Sequence, residues 1–437
     1  MIGKKVYHPK YGSGEIVERR YKGLEYLVLF QLGFKKWVRF DEIQVEREDT
    51  EVVDEELEKE KTEIKNFKER SIIEALRLGI VPYRYIEEFV FGRNEEIAEL
   101  KNWLLQKEND NFFFIIGEYG SGKSHLIRYI EALALNEGFA TSLVELDLNE
   151  TPFFKPKKIY RSIVNNFKYL KEGGKTEGFR SFVKEALNSG YLKDHPYFKY
   201  LKEDDETLWE WIEAKDLYSK PYEPTINQWG YITNIYDYLP PLSDYATYAN
   251  VYCNLISTLS WVAQKSFNLK GLLIIFDEAE SIKEATHSQQ EKSFRFLNAL
   301  YLASKNDERL LYIRKAEELG FDLPGNSNKA KIPYIYEIPF NLKIILAFTY
   351  PFLKTNDLNT KIPYIILERL PSKTLEEIFW YTWEIYKRAY NIEENYSLKF
   401  IFDNLLRKEN HTRLFIKGVI EAFDLLRFGN KNFIKEV

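Results

Sequence analysis

Apolar and polar positions alternate through the first 46 residues, and turn glycines interrupt them at short intervals. Lys5-Val6-Tyr7-His8 is followed by Tyr11-Gly12-Ser13-Gly14, then Leu24-Glu25-Tyr26-Leu27-Val28-Leu29-Phe30 and Lys36-Trp37-Val38-Arg39-Phe40. This period of two predicts short antiparallel strands closed into a small β-barrel over residues 1–46. Residues 47–70 lose the pattern to a run of acids and bases, read as a solvated linker that turns helical near its end. From Ile72 onward apolar spacing returns with no second linker of this kind. Three apolar runs follow: Phe112 to Ile116 and Leu272 to Phe276, both unbroken, and Leu342 to Phe348, interrupted by Lys343. Such runs fit strands buried on both faces, as in a parallel sheet. Between Asp147 and Leu272 lie about 120 residues, more than a strand-to-strand crossover needs. Ile159 to Phe167 and Phe182 to Leu187 have amphipathic helical spacing, so this stretch, about 151–268, is expected to be a helical insertion in a core spanning 71–360. Leu398 to Leu406 and Phe415 to Phe423 repeat the helical period, predicting a helical lid or winged-helix-like region over 361–437.

The first apolar run leads directly into Gly117-Glu118-Tyr119-Gly120-Ser121-Gly122-Lys123-Ser124, and an apolar-periodic helix begins at once with His125 in its first turn. Strand, G-x-x-x-x-G-K-S loop and helix together form the phosphate-cradling arrangement. Backbone N–H groups and the positive helix end suit the α- and β-phosphates, so Gly117 through His125 are the expected nucleotide-binding residues. Lys123 is expected to reach the β- and γ-phosphates, and the Ser124 hydroxyl to bind Mg²⁺. The second run ends in Asp277-Glu278. Asp277 is expected to hold Mg²⁺ and Glu278 to polarise the attacking water, an adjacency that favours hydrolysis over nucleotide binding alone. Glu280 is read as solvated or capping. Thr349, at the end of the third run, is placed to hydrogen-bond the water or the γ-phosphate. The resulting fold class is α/β, an additional-strand P-loop ATPase.

Composition narrows this picture modestly. The 437 residues carry 62 Lys and Arg against 67 Asp and Glu, so no overall cationic surface points to nucleic acid. Residues 1–46 hold nine bases against six acids, leaving a docking role for protein or nucleic acid open there. One cysteine, Cys253, excludes an internal disulfide, and a reducing, cytoplasmic setting is expected. No apolar run has the ~18 residues a membrane span requires. Trp209, Trp211, Tyr218, Tyr222, Trp229, Tyr231, Tyr236 and Tyr238 are read as packing within the insertion ahead of a partner surface. Asn306 to Tyr334, with Pro324-Gly325-Asn326-Ser327-Asn328, reads as a loop before the third buried run.

Val6-Tyr7-His8-Pro9-Lys10-Tyr11-Gly12-Ser13-Gly14-Glu15-Ile16 resembles the first hairpin of the SH3-like or Tudor-like domains of CarD-type transcription factors and of some helicases. Upstream of the P-loop stand Ile72-Ile73-Glu74-Ala75-Leu76-Arg77-Leu78-Gly79-Ile80-Val81-Pro82 and Gly92-Arg93-Asn94-Glu95-Glu96-Ile97. With the Tyr-Gly-Ser-Gly-Lys-Ser form of the P-loop, these segments are similar to the ATP-binding protein family of BREX phage-defence loci. Leu367-Glu368-Arg369-Leu370-Pro371 and His411-Thr412-Arg413-Leu414-Phe415-Ile416 resemble that family's entry to its lid and a lid helix start, although the family's proline after Thr412 is absent. The resemblance implies an AAA+-like ATPase related to the origin-recognition and STAND groups, acting on DNA directly or beside a helicase partner. It implies Val144 to Asp147 as the second sheet strand, Arg93 near the adenine or the hinge, and Arg413 as a second sensor of the γ-phosphate. In a homo-oligomeric ring Arg295, Arg309 or Arg369 would supply a bridging arginine. A nucleotide-gated switch and an origin-recognition-like DNA-binding module are the alternatives.

Overall fold

The computed structural model describes residues 5–8, 11–20, 25–30, 35–39, 43–45, 66–80, 82–106, 111–171, 173–215, 225–226, 232–233, 239–240, 242, 249–312, 332–349, 362–392, 398–408 and 411–429. The chain divides into two compact units, Met1–Phe67 and Lys68–Val437. Most of the charge run of 47–70 lies outside the described residues, as do six of the eight clustered aromatics and most of the loop expected over 306–334.

The first unit is a five-stranded antiparallel sheet. Its strands are β1 (Lys5–His8), β2 (Gly12–Arg20), β3 (Glu25–Phe30), β4 (Lys35–Arg39) and β5 (Gln44–Val45), in the order β4-β3-β2-β1-β5. Alternation does what the pattern predicted, because Val6, Ile16, Val28, Phe30 and Val38 turn inward and are buried. A register shift between Ile16 and Glu18 marks a bulge in β2, which bends the strand as a small barrel requires.

In the second unit β6 (Phe112–Gly117), β7 (Phe139–Glu145), β12 (Gly271–Asp277), β13 (Leu342–Phe348) and β14 (Tyr364–Leu367) are parallel neighbours in the order β14-β6-β13-β12-β7. The strand carrying Lys343 thus lies between the P-loop strand and the acidic strand, which defines the additional-strand P-loop class. Both faces are covered, so the strands contain almost no polar residues. Phe112, Phe114, Ile116, Leu272, Ile274, Phe276, Ile344 and Leu346 face one core, and Phe113, Ile115, Leu273, Ile275, Ile345 and Ala347 face the other. Lys343 is buried, yet its Nζ donates to the carbonyls of Trp103 (3.0 Å) and Gln106 (2.9 Å) and to Asn111 Oδ1 (3.3 Å). The two carbonyls end the helix α2 (Asn94–Leu105), so the lysine ties that helix to the lower edge of the sheet.

The region expected as a helical insertion departs from that description in two ways. After α4 (Pro156–Asn165), β8 (Phe167–Leu170) pairs antiparallel with β7 and extends the sheet, with β9 (Thr176–Glu177) beyond it. Helix α7 (Ala249–Phe267) packs on β12 as a covering layer of the sheet, which its nearly continuous burial reflects, and α9 (His287–Ser304) packs beside it. Between β9 and α7, α5 (Phe179–Asn188) and α6 (Glu206–Ile212) bury Trp209 and Trp211 in the same core, in line with the packing reading. A two-residue hairpin, β10 (Thr225–Ile226) with β11 (Ile232–Thr233), follows α6.

The helical lid comprises α10 (Ser372–Tyr390), α11 (Lys399–Lys408) and α12 (Thr412–Arg427), and the described residues of 398–429 contain no strand for a wing. Helix α1 (Phe67–Leu78), expected with the nucleotide-binding core, packs instead with the lid. Its Ile72, Ile73 and Leu76 join Phe379, Trp383, Tyr386, Phe415 and Phe423 in a separate core. Arg77 clamps the arrangement through both oxygens of Asp424, at 3.1 and 2.9 Å, and the Arg70 Nε donates to the Ala389 carbonyl at 3.1 Å. The apolar face of α1 therefore belongs to a bundle assembled from both ends of this unit.

Candidate nucleotide site

The P-loop turns between β6 and the helix α3 (Lys123–Asn136) at the carboxyl end of the sheet. Gly122 opens α3 with φ of 95°, a conformation that side chains other than glycine's resist. At Gly117 a Cβ would lie 2.4 Å from Ser121 Oγ, 3.1 Å from Leu367 Cβ and 3.2 Å from the Leu367 carbonyl oxygen, so the loop and β14 leave little room for a side chain there. Lys123 is buried, and its Nζ donates to the Gly117 carbonyl (2.8 Å), the Glu118 carbonyl (3.4 Å) and Thr349 Oγ1 (3.3 Å). The sequence-expected lysine and the end of β13 thus meet.

Asp277 ends β12 beside the P-loop, hydrogen-bonded by the Ser124 hydroxyl and by the Glu278 backbone N–H at 3.0 Å. Burial lifts its carboxyl above the ordinary range, and those hydrogen bonds with nearby Lys123 oppose the lift. Glu278 sits at φ of 55°, a strained setting that a glutamate occupies only when its surroundings hold it. Its carboxyl is pushed up to about 7, first by burial and then by the charges of Glu280 and Asp277. Three carboxylates face one lysine, and the Oε2 of Glu280 is buried without a partner. Such an oxygen-rich set, with a hydroxyl on the P-loop helix, suits a hard divalent cation held by Ser124 and Asp277.

Glu280 itself corrects the sequence reading. It precedes the short helix α8 (Ser281–Glu284), but its side chain caps nothing there, and its Oε1 accepts the hydroxyl proton of Thr349. No signal along the chain marks this contact, because the two residues stand 69 positions apart.

A cavity of about 250 Å³ opens from the P-loop toward the lid. Gly120, Lys123, Ser124 and Glu278 line its polar end; Leu76, Ile80, Pro82, Phe89, Phe91 and Ile416 supply apolar walls. Tyr119, Ser121, His125, Arg93 and Arg413 also face it. His125 is held neutral, its pKa lowered to about 4 by burial and by Arg93. The Arg93 guanidinium is engaged with structure: it bonds the Ser121 carbonyl (2.9 Å), the Glu368 carbonyl and Glu96 (2.7 Å), bracing the P-loop against the approach to the lid. Arg93 lines the cavity while these bonds hold its guanidinium against the P-loop. Arg413 stands in the first turn of α12, exposed, with a long 3.4 Å contact to the Tyr119 hydroxyl. His411 precedes it against Gly120, so the lid helix start does reach the P-loop. Of the three ring arginines, Arg369 pairs with Glu118 of its own P-loop at 3.0 Å, Arg309 with Asp307, and Arg295 with Glu291 at 3.8 Å. No helix among the described residues is long and apolar enough to cross a membrane.

No curated protein matches the chain. Solved structures to which it is similar include a DNA replication initiation factor, at 15% identity and a TM-score of 0.32, covering 78% of this chain and 64% of that one. AMPPCP-bound DnaA from Aquifex aeolicus is also 15% identical, with a TM-score of 0.34 and coverage of 80% of this chain and 67% of that chain. A replication initiator DnaA bound to AMPPCP and single-stranded DNA gives 15%, 0.33, 79% and 68%. The chain thus spans just under two thirds of the first of these. The family described as BREX system ATP-binding protein BrxC/D matches residues 64–189, the stretch running from α1 through the P-loop to α5.

Proposed function

We propose that this protein is a Mg²⁺-dependent ATPase that closes its helical lid over ATP and couples turnover to work on DNA within a BREX-type system, directly or through a helicase partner. The observation that carries the reading is one cavity lined by the P-loop, Glu278 and the lid's Arg413, with Thr349 and Asp277 hydrogen-bonded to its lining residues Lys123 and Ser124. Lys123 and the P-loop N–H groups bind the phosphates, while the apolar walls take the base. Ser124 and Asp277 would hold Mg²⁺, which would supply charge neutralisation to the phosphates. Glu278 removes the proton of the attacking water, a role that suits a carboxyl lifted toward neutrality. Arg413 has few competing partners and can follow the lid onto the γ-phosphate. The link to DNA and to defence is what the resemblance to the BREX ATP-binding family implies; the family model itself matches residues 64–189.

The test is steady-state ATP hydrolysis by wild type and Glu278→Gln, alone and with single- or double-stranded DNA. DNA-stimulated turnover that disappears in Glu278→Gln is expected. Retained ATP with no turnover under any condition would overturn the ATPase reading in favour of a nucleotide-gated switch.

A further inference from the structure

Thr349 stands between two groups whose hydrogen-bond roles are fixed. Lys123 Nζ lies 3.3 Å from its hydroxyl oxygen, and an ammonium can only donate. The single Thr349 proton must therefore point elsewhere, and it goes to Glu280 Oε1. A threonine hydroxyl has one proton and two lone pairs, so a proton given to Glu280 leaves only an acceptor facing the nucleotide.

We infer that Glu280 is a positioning residue that takes the Thr349 proton and so presents Thr349 to the reacting centre as an acceptor. The γ-phosphate oxygens are acceptors too, so Thr349 contributes no hydrogen bond to them. The attacking water has two protons, and Thr349 and Glu278 together accept both, which aims an oxygen lone pair at phosphorus. Recognition of the γ-phosphate then falls to Lys123 and Arg413, and Thr349 aligns water. Glu280 is suited to this role because its backbone begins α8, its side chain serves no cap, and its carboxyl also lies within hydrogen-bond reach of Glu278.

This inference rests on reading the cavity as a nucleotide site, and its test reads binding apart from turnover. The dissociation constants of AMPPCP and ADP with Mg²⁺ are measured by calorimetry for wild type, Glu280→Ala, Glu280→Gln, Thr349→Val and Glu280→Ala/Thr349→Val, with a melting curve of each to verify folding. In Glu280→Ala the hydroxyl is free to turn its proton to the γ-phosphate, so the preference for AMPPCP over ADP is expected to rise about five-fold, the scale of one hydrogen bond. Glu280→Gln removes the charge but keeps an acceptor, and should stay within about two-fold of wild type. In the Thr349→Val background the effect of Glu280→Ala should vanish. If Gln behaves like Ala, or the Ala effect persists without the hydroxyl, simple charge removal explains the change and the inference is overturned; no change in Glu280→Ala overturns it as well. A wild type that binds neither nucleotide overturns the site reading and this inference together, whereas binding with failed Glu280 contrasts overturns this inference alone.

Discussion

The nucleotide cavity has two walls built on opposite principles. On the sheet side Lys123 and Asp277 are buried, and each has hydrogen-bond partners at 3.3 Å or less. On the lid side Arg413 is exposed and makes a long contact of 3.4 Å, while the lid has its own core, shared with α1 and separate from the sheet's. A parallel sheet fixes groups at strand ends because every inner strand is locked by two neighbours and two covering layers. A helical lobe with a separate core moves as a body, since few packed side chains cross to the other lobe. On the proposed function, the sheet wall would carry the chemistry, and the lid would add Arg413 to Lys123 in reading the γ-phosphate.

Lys123→Ala should weaken ATP binding by about 100-fold or more, because it removes the charged contact to two phosphates and leaves three carboxylates unopposed. Equilibrium titration with a fluorescent ATP analogue measures it. Glu278→Gln should lower kcat by about 100-fold while the ATP dissociation constant stays within about three-fold, as loss of a base predicts. Comparable losses in binding and turnover would mean that Glu278 holds the site together and does not act on water. Arg413→Ala should weaken ATP about ten-fold and ADP far less, the pattern of a lid group that reads only the third phosphate. Equal weakening of both nucleotides would place Arg413 on the base or ribose and erase the division between the walls.

The smallest effect concerns stability. Burial and neighbouring acids raise the Glu278 carboxyl to about 7 in the folded protein, above its unfolded value. The folded state then binds more protons, so nucleotide-free stability is highest below the unfolded pKa and falls as pH rises through about 7. Because the side chain is partly solvated, the loss by pH 8 should be about 1 kcal/mol, and Glu278→Gln should recover it as a melting point higher by about 2 °C. A variant that melts at or below wild type at pH 8 would show that the acidic cluster carries no such penalty.

The residues of the sheet wall were legible because a P-loop writes strand, turn and helix consecutively, and because Asp277-Glu278 closes an unbroken apolar run. The period-two separation of Phe112 from Phe113, or Leu272 from Leu273, follows from alternation on a pleated strand and was equally readable. Other features were hidden. The apolar stripe of α1 says only that the helix is covered, and its partners lie about 300 residues away in α10 and α12. Glu280 reads as a helix-start acid until β13 brings Thr349 to it. Arg93 sits in a recognisable box, yet the carbonyls of Ser121 and Glu368 that engage it have no sequence mark, since every residue has a carbonyl.

Residue order alone specifies the phosphate-binding loop, the acidic strand end, the buried parallel strands and the separation of an alternating N-terminal segment from the rest. Those are local properties, set by the spacing of side chains within a few residues. Packing of distant segments is what joins α1 to the lid, sets Arg93 on the carbonyls of Ser121 and Glu368, and links Glu280, Thr349 and Lys123 in one hydrogen-bonded series. The physical reason is that a hydrogen bond needs two atoms about 3 Å apart, and packing of the sheet, not adjacency along the chain, supplies that distance.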